Sequence, residues 1–220
     1  MKVSNSSFIQ FFIFIFVIMC SFVYYENFQS EMIAVKSDID GNEYQVRNLK
    51  DKQKAANTLA MLRKKMLALV EKVQKLKGVQ DQYCNNAIIT LKERFRPEHM
   101  SESPSDAKYT SYSVNKGEKI FFCIRAKDST NEIINLNTLL FVAIHEMAHV
   151  MTKSIGHTKE FWNNFRFLLR EAVKSNIYQY QNFTSKPEKY CGMLITDSPY
   201  EPSRDDNLDL SLENTEKSCR

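Results

Sequence analysis

Histidine is scarce in this 220-residue chain and tryptophan scarcer: there are four of the first and one of the second. No two cysteines stand at the C-x-x-C spacing, which excludes a zinc ribbon built on thiolates. From Asn137 to Ile155 there is neither Pro nor Gly, so nothing there breaks a helix. The basic stretch from Arg47 to Lys77 has no aromatic residue and offers no stacking surface to a single strand of nucleic acid. The net charge of +4 is too small to argue for such a partner by itself. Hydrophobic residues at 43% and charged residues at 25% are ordinary for a globular protein, and the length suits one domain with appendages.

What is present is concentrated. Three of the four histidines fall between His145 and His157. His145-Glu146-Met147-Ala148-His149 reads H-E-x-x-H, with apolar Leu139–Ile144 before it and Val150-Met151 after it. On a helix, positions i and i+4 share a face, so the two imidazoles meet at one point with Glu146 beside them. That is the pattern of a Zn²⁺ site whose carboxylate serves as general base. Gly156 is a helix stop, and His157 follows it as the candidate third metal ligand. A helix continued to Ile155 would carry the chain about 9 Å past His149. So the helix breaks nearer Thr152, or Glu160 is the third ligand instead. His99 lies in a polar loop and reads as a surface residue.

Phe8 to Tyr25 is apolar apart from Gln10 and Ser21, about the length of a bilayer span. No small-residue cleavage site follows it, so it reads as an uncleaved transmembrane signal-anchor in a lipid bilayer, behind a short tail at 1–7. Lys2 leans the amino terminus toward the cytoplasm and the rest toward translocation, with which the sequon at Asn182 is compatible. Residues 26–48 read as a juxtamembrane spacer with a short strand at Tyr44-Gln45-Val46. Leu49 to Leu76 is a long amphipathic helix whose seam is Leu59, Leu62, Met66, Leu69, Val73 and Leu76. The seam packs on its own domain or, alternatively, self-associates as a coiled coil; the basic face beside it could meet acidic lipid or nucleic acid.

Tyr109 to Arg125 is a β-hairpin turning at Asn115-Lys116-Gly117-Glu118, with an edge on which an extended substrate could lie. Asn135 or Asn137 caps the metal helix and Thr158 the next one, where Trp162 packs close to the metal helix. Cys84, Cys123, Cys191 and Cys219 could form two disulfides in any of three connectivities. The acidic segment 201–220 reads as a disordered tail.

Three features together, the His145–His149 motif, Gly156-His157 and Phe161-Trp162, resemble the WLM/SprT-like zinc metallopeptidases. The wider pattern resembles their membrane-anchored members encoded by large DNA viruses, adding Asn115–Lys119 and Tyr190-Cys191-Gly192. The resemblance covers roughly residues 50–202. It implies a small zincin-like α+β domain at residues 49–200, a hairpin or sheet packed on the active-site helix. It implies His145, His149 and His157 as zinc ligands and Glu146 as catalytic base, in a viral envelope or host internal membrane. The family's pattern has five residues between the second and third histidines; this chain has seven.

The expectation is therefore a membrane-anchored zinc endopeptidase acting on a protein or peptide substrate, with Tyr190 as the oxyanion donor. Two alternatives stand beside it: a zinc-stabilised structural or assembly protein without catalysis, and a membrane-tethered nucleic-acid binder.

Overall fold

Apolar residues at helical spacing in 49–76 and an unbroken apolar run before His145 give two long helices, and the rest of the domain is laid on them. The computed structural model describes residues 5–29, 31–78, 80–208 and 219. In chain order the elements are α1 (Asn5–Gln29), β1 (Met32–Lys36), β2 (Glu43–Arg47), α2 (Lys52–Gln74), α3 (Gln82–Arg94), a 3₁₀ turn (Pro97–His99), β3 (Met100–Glu102), β4 (Tyr112–Val114), β5 (Lys119–Phe122), α4 (Leu136–Met151), α5 (Lys159–Lys174), β6 (Glu188–Tyr190), β7 (Met193–Ile195) and α6 (Pro202–Leu208).

This is a mixed α+β fold. One sheet has the order β1-β2-β3-β5-β4, with parallel pairing at β2–β3 and β3–β5 and antiparallel pairing at both ends. β4 is therefore an edge strand. β6 and β7 form a separate hairpin. Helix α4 packs against α2, α3 and α5, and it also reaches β4. The seam residues Leu59, Leu62, Met66, Leu69 and Val73 are fully buried within this chain, against β2, α3, α4 and α5. The segment 26–48, read as a spacer, supplies β1 and β2. A buried ion pair ties that addition to the rest: Arg125 Nε donates to Glu102 Oε1 at 2.7 Å, while the Arg47 backbone N–H donates to Glu102 Oε2 at 2.9 Å. Arg125 also donates to Asp51 at the start of α2.

The expected membrane span needs correction. Among the described residues no helix is long and apolar enough to cross a membrane. Within α1 the apolar run is interrupted by the polar side chains of Gln10 and Ser21. The single-pass placement and the topology argued from it fall with the span.

At the other end, the segment read as a disordered tail opens with α6; residues 209–218 lie outside the described residues. The cysteines pair as Cys84–Cys219 and Cys123–Cys191, across sequence separations of 135 and 68. Loops of that size remove enough unfolded-state entropy to stabilise the fold by about 4 to 5 kcal/mol each in the chain-entropy view.

Candidate metal centre

The metal helix starts as its sequence predicts: the Asn135 side chain accepts from the Asn137 N–H and caps α4. It ends four residues before Ile155. Thr152 is extended, and its hydroxyl donates back to the Ala148 carbonyl while accepting from Asn164 Nδ2 at 2.9 Å. The chain then turns through Gly156, at φ +82°, where a side chain would be strained. Thr158 starts α5 by accepting from the Phe161 N–H. This early break is what returns His157 to the helix.

The three histidines converge. His157 Nε2 lies 3.1 Å from His145 Nε2 and 3.2 Å from His149 Nε2. The metal-binding atoms of the three all lie within 4.8 Å of one another. Four ligands about 2.05 Å from a tetrahedral zinc would stand about 3.3 Å apart, so the donor set fits that ion. Burial, with help from His149 and His157, pushes His145 down to about 3; burial, with help from His157 and Lys116, pushes His149 down to about 4. Both are therefore neutral at ordinary pH, the form in which imidazole binds metal. Phe161, fully buried, stacks on His149 at 4.3 Å and meets His145 edge-on at 4.9 Å. Trp162, expected to pack close to the metal helix, lines a cavity beside its Phe141 and His145 while 42% exposed, with its ring against His157.

Glu146 is 5% exposed and sits in the same cavity as the three histidines, a space of about 540 Å³. Burial raises its carboxyl to about 7, against the lowering effect of a hydrogen bond from the Ser113 backbone N–H on the edge strand β4. His99 stands apart from the cluster, its Nδ1 donating to the Glu118 carbonyl.

The WLM domain family model matches residues 71–218. This chain belongs to the WLM domain family. The family is metallopeptidase-like, and its WLM match begins inside α2, leaving β1 and β2 outside it. An uncharacterized protein of Acanthamoeba polyphaga mimivirus is 33% identical over 76% of this WLM chain and 84% of its own length. One from Invertebrate iridescent virus 6 is 37% identical over 37% of this chain and 44% of its own length. Among solved structures, the crystal structure of Wss1 from Saccharomyces cerevisiae aligns with 58% of this chain and 84% of that one, at 18% identity and a TM-score of 0.38.

Several more residues shape the WLM site, and the roles of Lys116 and Ser111 carry no sequence signal. Lys116, in the β4–β5 turn, donates from Nζ to the carbonyls of Thr152, Lys153 and Ser154 at 2.8, 2.6 and 2.8 Å, closing the end of α4. Gly117 beside it is required: a Cβ there would stand 2.8 Å from the Arg94 carbonyl and 3.0 Å from Val150, and φ is +107°. Glu160, weighed as a metal ligand, instead accepts from the N–H groups of Lys153 and Ser154 and from the Ser154 hydroxyl. It shapes the loop that presents His157. Tyr190 is buried, lines the same cavity and pairs through its hydroxyl with Ser111 Oγ at 2.5 Å. Ser111 in turn accepts from the Cys123 N–H, and the Cys123–Cys191 disulfide fastens the residue next to Tyr190. The hairpin β6–β7 that carries Tyr190 is not foreseen from the sequence, although Tyr190 itself is expected as oxyanion donor.

Proposed function

We propose that this chain is a zinc-dependent endopeptidase with His145, His149 and His157 as ligands and Glu146 as general base. The observation that carries the reading is three imidazoles aimed at one point, with a buried carboxylate poised near neutrality in the same cavity. Zinc bound there would lower the pKa of a water toward about 7 and polarise a substrate carbonyl. Glu146 accepts the proton of the attacking water and returns it to the departing amine. Its pKa of about 7 suits both halves of that exchange. The Tyr190 hydroxyl, held by Ser111, donates to the oxygen that gains charge. The free edge of β4 takes the substrate backbone in extended form, and the Ser113 N–H ties that strand to Glu146.

The test uses the full chain. One zinc per chain is expected by elemental analysis, lost or much weakened in His157→Ala. Glu146→Gln should keep zinc while peptide cleavage falls at least about 100-fold, the lower end of what a general base contributes. Full activity in Glu146→Gln would remove it from the mechanism. Zinc bound tightly with no cleavage of any peptide by the wild type would favour a zinc-stabilised structural protein.

A further inference from the structure

Two cavities meet at the metal helix. One is the 540 Å³ space over Glu146 and the histidines, walled by Val142, Ile155, Met193 and Leu194. The other, about 440 Å³, is a well with Phe141, Trp162 and Phe165 as its aromatic wall and Arg166, Arg204 and Asp197 around it. Phe141 and His145 line both, so a chain whose scissile bond lies at the histidines reaches into each.

The exposed apolar surface gathers at this place. Beyond α1, seven large apolar side chains are exposed among the described residues, and four of them line the two cavities: Ile155, Trp162, Met193 and Leu194. Ile155 is 89% exposed and has nothing of its own fold to cover it. Exposed apolar side chains clustered around a cleft mark a surface that binds apolar groups.

The basic groups nearby are already engaged. Arg166 donates to the Pro199 carbonyl at 2.9 Å and lies 4.0 Å from Asp205. Arg204 pairs with Asp205 at 3.1 Å and also donates to Pro199. On the other side Lys116 is held by three carbonyls. Little is left to attract an acidic substrate side chain, and much to attract an aromatic or aliphatic one.

Resting on the peptidase reading, we propose that the cleft selects extended segments with large apolar side chains on both sides of the scissile bond, the well at Phe141, Trp162 and Phe165 being the specificity pocket. Folded proteins keep such residues inside, so the substrate class is unfolded or partly unfolded polypeptide.

Trp162 is the only tryptophan in the chain, and its fluorescence reports on the well directly. The zinc-loaded full chain carrying Glu146→Gln is titrated with tryptophan-free decapeptides bearing Phe and Leu at the central positions, and with matched peptides bearing Asp or Gly there. The metal-free wild type is titrated alongside, so that the result does not depend on one variant. The apolar peptides are expected to bind at least tenfold more tightly and to shift the Trp162 emission to shorter wavelength. Equal affinity for the Asp peptide, or binding that leaves the emission unmoved, would overturn the proposal. Cleavage is read separately in the zinc-loaded wild type. Apolar peptides that bind and shift Trp162 but are not cut would sink the peptidase reading while keeping the pocket. Peptides cut without apolar preference would do the reverse.

Discussion

The two halves of the histidine cluster are built by different forces. His145 and His149 stand on a helix held by apolar packing: Ile144, Met147, Ala148, Val150 and Met151 around them are all fully buried. His157 stands on a loop held by polar atoms, the Lys116 ammonium on three carbonyls from far along the chain and the nearby Glu160 carboxylate on two N–H groups and a hydroxyl. Packing of a helix face is written in the spacing of its residues. A loop held by single polar contacts, those of Lys116 across more than thirty residues, is not. The metal site thus joins a rigid platform to an adjustable arm.

The largest test of that difference removes one ligand from each half. His149→Ala should abolish stoichiometric zinc binding. His157→Ala should leave residual, far weaker binding, because the two helical imidazoles remain in place. Equal residual affinity in the two variants, by competition with a chelator, would mean the arm matters as much as the platform.

Acid probes the platform alone. The folded-state pKa values of His145 and His149 lie at about 3 and about 4, below the unfolded value of about 6.5. Between those limits the unfolded chain binds more protons, so stability rises with pH there and is lost as pH falls from about 6.5 toward 4. Metal-free protein should therefore lose a few kcal/mol over that window in urea unfolding, and His149→Ala should lose less. A flat profile would mean the histidines are not held neutral by burial.

The arm is tested next. Glu160→Ala and Lys116→Met should each weaken zinc binding about 10- to 100-fold, the usual effect of a partner outside the ligand shell. The cobalt-substituted spectrum should change with them as His157 loses its place. Unchanged affinity in both would show that the loop holds its shape without them. The smallest effect is expected from the caps: Asn135→Ala and Thr158→Ala should each cost about 1 kcal/mol of stability. Of the two, only Thr158→Ala should also alter metal affinity, because Thr158 adjoins His157 and its hydroxyl meets Ser154 at 2.7 Å.

The same division explains what was legible in the sequence. The metal helix, its Asn135 cap, the Thr158 cap, the hairpin at 109–125 and the α2 seam were all readable from period and from turn residues. The short strand at Tyr44-Gln45-Val46 was readable and lies within β2; β1 was not, because Met32–Lys36 is short and half-exposed and its place is fixed by pairing with β2. β3 hid in a polar loop, being three residues long. The end of α4 near Thr152 was one of two alternatives the spacing left open, because the residues that hold it there, Asn164 and Lys116, lie on other elements. The apolar run at 8–25 was read as a membrane span from its length and composition, but among the described residues no helix is long and apolar enough to cross a membrane.

One feature of the fold has a mechanical consequence. The Cys123–Cys191 link lies wholly inside the Cys84–Cys219 link, and His145, Glu146, His149, His157 and Tyr190 all fall within the inner one. Tension applied from beyond both Cys84 and Cys219 would pass through the outer sulfurs, and the segment between them could not be drawn out. A machine that pulls on this protein from either end would stretch β1, β2 and α2 and then stall against covalent bonds, with the five residues of the site carrying none of the load.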